Sequence, residues 1–208
     1  MDRQNNKSVL TPIQESLLIL AGLSNQIKWA IDSVLLEDRI KDENLKFTIS
    51  NHIHIILCSF LEEWHTLEKL GVDKKLIVIL KITSPALSRI RKWKGLTKVR
   101  SILLAHGHRD KKGMLVCPWE VFKEYNAPTA YAETMLLGKC ALLATKVLLK
   151  YYKLEYNTAI QNFSETKRKI MDKGIRTIKD IDAELEQVTN GMLHIAYSYN
   201  DSELERLF

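Results

Sequence analysis

Glycine and proline are scarce in this chain, which has eight glycines and four prolines among its 208 residues. Folds with many β-turns depend on these two residues, so the composition argues against a sandwich of many short strands. The sequence also has no low-complexity tract and no internal repeat. We therefore expect a globular protein of long helices joined by short loops.

Cysteine is also sparse, and the three that occur, Cys58, Cys117 and Cys140, are widely spaced. Disulfide frameworks use an even number of cysteines, and zinc modules use closely spaced pairs. The odd number and the wide spacing argue against both. We expect reduced thiols, which are typical of a cytoplasmic protein.

Long hydrophobic runs are missing as well. The longest, MLLGKCALLATKVLL at 135–149, is interrupted by Lys139 and Lys146 and is shorter than the ~20 residues that span a bilayer. It predicts a buried helix rather than a membrane anchor. The first ten residues are polar and lack the apolar centre of a secretory leader. We expect no membrane partner.

Common catalytic and metal motifs are also missing, since there is no phosphate-binding glycine loop, no serine elbow and no HExxH sequence. One helix does carry His54, Cys58 and His65 within about 40° of one another at 100° per residue, with Glu62 nearby. Histidine and cysteine four residues apart can share a metal. Such residues at the border of an apolar face are more often half-buried spacers. We favour the spacer interpretation and expect no metal and no cofactor.

Capping residues and apolar periodicity locate the helices. Thr11 with Pro12 and Gln14 predicts a capping box at the first helix, and Asp73 and Thr97 are predicted to cap later helices. These signals predict one all-α domain over 1–208, an antiparallel helical bundle. The first two helices are expected at 11–36 and 45–70. A third follows Asp73, restarts or kinks at Ser84–Pro85 and breaks at Gly95. The remaining helices are expected at 97–107, at 118–125, from 128 to about 152 or as far as 171, and after Gly174.

The net charge of +6 is concentrated in one segment. Between Arg89 and Lys112 lie nine lysines or arginines and one acid, Asp110, which gives this segment +8 and leaves −2 for the rest of the chain. A basic segment of this density favours polyanions such as nucleic acid. The alternative is a solvated helix face followed by a lysine-rich loop.

Within the basic segment, the stretch VRSILLAHGHR at 99–109 has the residues for phosphodiester chemistry. A histidine near neutrality can move protons to and from ribose oxygens, and an arginine can bind the phosphate and stabilise its developing charge. On an ideal helix Arg100 and His106 are ~9 Å and ~240° apart, but Gly107 can end the helix at His106. The alternative is a capping histidine and an unrelated surface arginine.

Residues 98–107, KVRSILLAHG, followed by a basic loop and a tryptophan helix, resemble the RNxxxAH signature of the HEPN superfamily, especially its abortive-infection branch. The resemblance implies a HEPN-like helical bundle with a basic loop after the motif helix. It also implies a metal-independent endoribonuclease in which Arg100 and His106 are the catalytic pair at the cleft of a homodimer. Ser101 stands where the family commonly has asparagine.

Family members of this kind often act in toxin–antitoxin or antiphage systems, so an antitoxin protein is an expected partner beside RNA. Some carry a modified tyrosine two residues after the histidine, and His108 stands there, so that control is not expected. Some members only bind or act as scaffolds. The predicted RNA-binding residues are Arg91, Lys94, Lys98, Ser101, His108, Arg109, Lys111 and Lys112.

The aromatic residues Trp93, Trp119, Tyr125 and Tyr131 flank the basic segment. They could stack on bases, but such residues more often close loops over a core, and we favour that interpretation. Trp93 is the strongest candidate for an exception, because basic residues surround it. Two non-enzymatic alternatives stay open: a HEPN-like bundle that binds RNA or protein, and a structural dimerisation bundle. An exposed Arg100 and His106 in a shared cleft would indicate the enzyme. A hydrophobic groove and an ion-paired Arg100 would favour the dimerisation bundle.

Overall fold

The computed structural model describes residues 10–32, 41–71, 73–105, 114, 118–165 and 178–198. This part of the chain is all-α, as the sequence predicts, and contains no strand. A π-helical segment, Arg100–Ala105, follows directly on the fourth helix. The α-helices are α1 Pro12–Ala30, α2 Glu43–Lys69, α3 Lys74–Arg91, α4 Leu96–Val99, α5 Pro118–Glu124, α6 Tyr131–Tyr151, α7 Lys153–Glu165 and α8 Ile178–Ser198.

Side-chain caps fix the starts of the first three helices. The Thr11 hydroxyl accepts from the Gln14 amide at 3.3 Å, and the Gln14 side chain accepts from the Thr11 amide at 3.0 Å, which completes the predicted capping box. Asp73 accepts from the Lys75 amide at 3.0 Å, also as predicted. Asp42 caps α2 in the same way. The predicted end of the first helix at Leu36 lies outside the described residues.

Helix α3 runs without a break through Pro85, so a restart at Ser84–Pro85 is wrong, and the kink that was the alternative there stays a prediction. Proline removes one backbone donor from a helix. The buried residues of α3, among them Ile79, Thr83 and Leu87, occur on both sides of Pro85 and share one face of the helix. The main packing partner of α3 is α6. Burial of this face therefore outweighs the local cost of the proline.

The start of α4 also differs from the sequence prediction. Gly95, rather than Thr97, is the N-terminal cap residue, and it makes no side-chain cap bond. Gly95 has a φ of −70°, which any residue can adopt. Its glycine requirement is steric, because an ideal Cβ there would lie 2.0 Å from the Tyr125 carbonyl oxygen and 3.1 Å from the Ala127 nitrogen. This close backbone approach joins the start of α4 to the residues that follow α5.

The long helix predicted from 128 ends where the shorter of its two predicted bounds, about 152, places it, and the extension to 171 as one continuous helix is wrong. It begins at Tyr131, and a turn at Tyr152 separates α6 from α7. The Tyr152 hydroxyl donates to Asp73 at 2.6 Å, and the Lys75 ammonium lies 4.1 Å from the Tyr152 ring centroid. These contacts tie the turn to the start of α3. The predicted break at Gly174 lies outside the described residues.

Two apolar clusters hold the helices together. The main core is formed by α1, α2, α3 and α6, and includes the fully buried Trp64 and Phe60. A small second core packs the α4 end against α5 and the start of α2. Its buried members are Val99, Val121, Phe122 and Ala127, with Phe47, Ile102 and Tyr125 packed against them.

The contacts divide the chain into two compact units, Met1–Thr166 with α1–α7 and Lys167–Phe208 with α8. The single domain over 1–208 stays a prediction. Within the described ranges, no helix is long and apolar enough to cross a membrane.

Substitution of two glycines should separate the effect of close backbone approach from that of helix propensity. Gly95→Ala should lower the free energy of unfolding by about 2–3 kcal/mol, because the backbone atoms it meets cannot move aside. Gly22→Ala should raise it by about 0.5–1 kcal/mol, because Gly22 lies inside α1 with nothing within 4 Å of its Cβ position. Urea unfolding of both variants beside wild type measures the difference. A Gly95→Ala protein as stable as wild type would contradict the steric argument.

Candidate active site around Arg100

Arg100 is the first residue of the π-helical segment. Val99 before it is fully buried in the second core, and Ile102 packs against the same core. Arg100 itself keeps a side-chain exposure of 33%. The helix predicted over 97–107 is helical as far as Ala105, but from Arg100 to Ala105 it is a π-helix rather than an α-helix. π-Helical turns are rare in proteins, and those that occur are often found at functional sites.

The Arg100 guanidinium forms an ion pair with Glu62 of α2, with Nη1 and Oε1 2.6 Å apart. The Glu62 side chain is 61% exposed, so this pair lies at the surface. Sequence reasoning noted Glu62 only beside the histidine and cysteine stripe of its own helix. It missed the contact with Arg100, because positions 38 residues apart share no periodic pattern.

Cys58 lies one turn before Glu62 on α2 and is buried. Burial raises the pKa of its thiol to about 11, although the Arg100 charge and the Thr97 hydroxyl oppose this shift. A thiol with so high a pKa is protonated at neutral pH and is a weak nucleophile. Cys58 therefore fills space beneath the Arg100–Glu62 pair rather than reacting.

Four of the predicted RNA-binding residues are described by the structure, whereas the other four and the predicted catalytic residue His106 are not. Lys94, Lys98 and Ser101 are exposed, and in the part of the chain that the structure describes neither lysine lies within ion-pairing distance of a carboxylate. Arg91 is exposed but pairs with Glu68 of α2 at 2.7 Å. The residues that lie outside the described ranges are His106, His108, Arg109, Lys111 and Lys112.

Glu133 of α6 is a second carboxylate that sequence reasoning missed. It accepts from Arg89 Nη2 at 2.7 Å and from the Trp93 indole nitrogen at 2.5 Å. These two hydrogen bonds, of which the one from Arg89 has the larger effect, hold the pKa of Glu133 below its usual value, although burial acts in the opposite direction. Arg89 and Trp93 thus fasten the end of α3 to the start of α6.

Three of the four aromatic residues that flank the basic segment are described together with their side chains, and all three have contacts within the fold. Trp93 is half-buried against the main core, Tyr125 packs against the second core, and the Tyr131 hydroxyl donates to Glu43 at 3.0 Å. These contacts support the interpretation that such residues close loops over the core. Base stacking by Trp93 stays a prediction.

The histidine and cysteine stripe of α2 is split between the interior and the surface. His54 is 1% exposed, and its Nε2 lies 3.0 Å from the Thr134 hydroxyl oxygen, whereas His65 is exposed and lies 3.4 Å from Glu68. Among the described residues no group of three or more histidine, cysteine or acidic side chains could hold a metal ion.

A small polar cavity beside His54 is lined by Phe47, Ser50, Asn51 and Phe122, among others. The Ser50 hydroxyl, the Asn51 carbonyl oxygen and His54 Nδ1 face no hydrogen-bond partner within the described ranges. The cavity volume is about 10 Å³, close to that of one water-sized probe. It is therefore too small for a nucleobase.

A larger groove lies between α3 and α6 and is apolar. Its volume is about 370 Å³, and its lining includes Ile82, Pro85, Ala86, Cys140 and Leu143. Ile82 and Leu143 are exposed. Burial raises the pKa of the Cys140 thiol. An apolar groove of this kind suits a protein surface rather than a phosphate backbone.

The buried His54 should make folding stability depend on pH. Burial lowers its pKa from 6.5 to about 4, so between these values the unfolded chain binds a proton that the folded chain does not. Stability therefore falls as the pH drops through this window. Between pH 7 and about pH 4.5, wild type should lose about 2 kcal/mol more than His54→Gln, which removes the titrating group.

Urea unfolding at both pH values measures this effect, and the exposed His52 offers a matched control. His52→Gln should keep the pH dependence of wild type. If His54→Gln and wild type lose the same stability, another group causes the pH dependence.

Comparison of the chain with protein-family models, with curated proteins and with solved structures finds no match in any of the three. The resemblance of residues 98–107 to the HEPN signature thus stays a prediction. Function has to be argued from the residues around Arg100 and from their charges.

Proposed function

We propose that this protein is a metal-independent endoribonuclease of the HEPN type that cleaves RNA through Arg100 and His106 at a homodimer cleft. The observation that carries the proposal is the position of Arg100. It is a partly exposed arginine at the first residue of a π-helical segment that ends at Ala105, the residue before His106. Lys94, Lys98 and Ser101 are exposed nearby in the sequence and supply further groups for a phosphate backbone.

The proposed reaction needs only these side chains and the RNA. The His106 imidazole accepts the proton of a ribose 2′-hydroxyl, and the 2′-oxygen attacks the adjacent phosphorus. The bond from phosphorus to the 5′-oxygen breaks, and this oxygen leaves with a proton donated by an imidazolium form of His106 in the dimer cleft. Arg100 binds the non-bridging oxygens and stabilises their charge. The products are a 2′,3′-cyclic phosphate and a 5′-hydroxyl, and DNA is not a substrate because it lacks the nucleophile.

Glu62 has a defined place in this mechanism. Before RNA binds, its carboxylate holds the Arg100 guanidinium at 2.6 Å. Exposed ion pairs of this type contribute about 0.2–1 kcal/mol. A phosphate can therefore replace the carboxylate at little cost, and Glu62 keeps the arginine oriented until it does.

The proposal extends to the biological setting that the HEPN resemblance implies. An endoribonuclease of this type acts in the cytoplasm, where its RNA lies, within a toxin–antitoxin or antiphage system. An antitoxin protein then keeps it inactive.

A non-catalytic helical bundle that binds RNA or protein is the second candidate. The ion pair of Arg100 and the apolar groove between α3 and α6 were expected of the structural dimerisation bundle, and they favour that form of a non-catalytic protein. The two functions differ in whether RNA is cut, so a cleavage assay separates them.

The chemical step of cleavage should depend on Arg100 and His106, whereas the other basic residues contribute to RNA binding. With EDTA present, wild type should cut single-stranded RNA or tRNA and leave matching DNA intact. Arg100→Ala and His106→Ala should each lower the rate at least ~100-fold, since each removes a group that acts in the transition state. Gel analysis with detection of 2′,3′-cyclic phosphate ends measures the reaction.

Arg91→Ala is the matched control, because Arg91 is also an exposed arginine paired with a glutamate of α2. Because Arg91 is predicted to bind RNA but takes no part in the reaction, Arg91→Ala should keep kcat within about twofold of wild type and raise only KM. RNA binding without cleavage, equal in wild type and in the Arg100 and His106 variants, would leave the non-catalytic bundle as the function.

Glu62→Gln should tighten RNA binding. The amide keeps an oxygen for the Arg100 guanidinium but removes the charge that competes with the phosphate, so KM should fall about two- to fivefold. Glu68→Gln, which changes the carboxylate paired with Arg91, should alter KM less. A higher KM in Glu62→Gln would mean that the carboxylate aids RNA binding and would contradict the proposed exchange.

A further inference from the structure

Helix α8 carries apolar residues at alternating intervals of four and three. Ile181, Leu185, Val188 and Met192 follow one another at four, three and four residues. The same alternation continues in the sequence to Ile178 and Ile195 at its two ends. This is the heptad spacing of a coiled coil, with Leu185 at position a and Val188 at position d.

The apolar stripe of α8 is narrow. The residues at the flanking positions e and g include Glu184, Thr189 and Gly191, none of which widens the stripe. A helix that packs on a globular core presents a face about 100° wide or wider, whereas an a/d stripe alone is typical of a coiled-coil seam. The pattern of α8 therefore fits a partner helix better than a core.

The seam is exposed in its own unit. Ile181, Leu185, Val188 and Met192 have exposures between 46% and 59%. Among the described residues of Lys167–Phe208, α8 is the sole helix, so this unit contains no second described helix to cover the stripe. An apolar seam of this length in water favours association.

The charges of α8 indicate the direction of its partner. All four acids of the helix, Asp180, Asp182, Glu184 and Glu186, lie in its first half, and none lies in its second half. Parallel pairing would place the two acidic halves side by side. Antiparallel pairing places each acidic half beside an uncharged one, and it also aligns the two helix dipoles favourably.

The seam residues agree with this direction. Parallel two-stranded coiled coils favour β-branched residues at a and leucine at d. In α8 the central layers are reversed, with Leu185 at a and Val188 at d. Antiparallel pairing instead places each Leu185 against the partner's Val188, so the two residue types complement each other in one layer.

We propose that α8 pairs with α8 of a second copy of this chain as an antiparallel coiled coil. In this register Leu185 faces the partner's Val188, and Gly191 lies beside the partner's Glu184. The pairing does not depend on the proposed ribonuclease activity, because it is carried by a separate unit and by different residues. Its test is the molecular mass in solution rather than RNA cleavage.

Light scattering after size exclusion measures the mass of wild type, Val188→Glu and Asn190→Glu. Both variants add one negative charge, but Asn190 is exposed on the opposite side of the helix. Val188→Glu should reduce the mass to half or less, and Asn190→Glu should leave it unchanged. A monomeric wild type, an unchanged Val188→Glu, or an equal loss in Asn190→Glu would each overturn the proposal.

Leu185→Glu serves as an independent second variant at the seam and should behave as Val188→Glu does. Thermal unfolding followed by circular dichroism shows whether the α1–α7 unit stays folded in both. A variant that dissociates with an unchanged main transition has lost only the pairing.

Gly191 allows a test of direction, because an added Cβ there meets nothing within 4 Å. Gly191→Lys places a cation beside the partner's Glu184 only in the antiparallel arrangement. It should lower the dimer Kd about threefold relative to Gly191→Gln, which has a similar helix propensity. Equal Kd values for the two variants would overturn the antiparallel arrangement.

Discussion

The close approach of Gly95 to the Tyr125 carbonyl is the constraint on which the candidate site depends. An ideal Cβ would lie 2.0 Å from that oxygen, so only glycine lets the start of α4 contact the residues after α5. From that fixed point four helical residues lead to Arg100, while Val99 enters the second core. The glycine therefore sets where the π-helical segment begins and which face of α2 the Arg100 guanidinium reaches.

Carboxylates of α2 and α6 reduce the positive charge of the basic segment more than its sequence suggests. The segment carries +8 along the chain, but Arg89, Arg91 and Arg100 each pair with a glutamate that is distant in sequence. Lysines such as Lys94 and Lys98 keep their charge at the surface. Under the proposed function, the positive potential for RNA therefore comes mainly from lysines, and an arginine contributes only when a phosphate displaces its glutamate.

Local signals predicted much of the fold and less of the site. Thr11 and Asp73 cap helices as expected, because a side-chain cap depends on residues two or three positions away. The helix restart predicted at Pro85 is absent because packing of α3 on α6 outweighs a local breaker. The cap predicted at Thr97 is absent because Gly95 contacts the backbone of Tyr125, which lies 30 residues later in the chain. Glu62 and Glu133 were missed for the same reason: their partners lie 38 and 40 or more residues along the chain. No local rule predicts a π-helical turn at Arg100.

The three ion-paired arginines differ in how easily they can be released, and this difference singles out Arg100. The glutamate side chains that bind Arg89, Arg91 and Arg100 are 19%, 28% and 61% exposed. Glu133 also accepts a hydrogen bond from Trp93. Release of Arg89 would therefore leave the little-exposed Glu133 carboxylate with one hydrogen-bond donor instead of two. Glu62 is the best hydrated of the three, and water can replace the guanidinium when a phosphate takes it. Under the proposed function, the arginine of the RSILLAH stretch is thus the one of these three for which exchange to an RNA phosphate costs least.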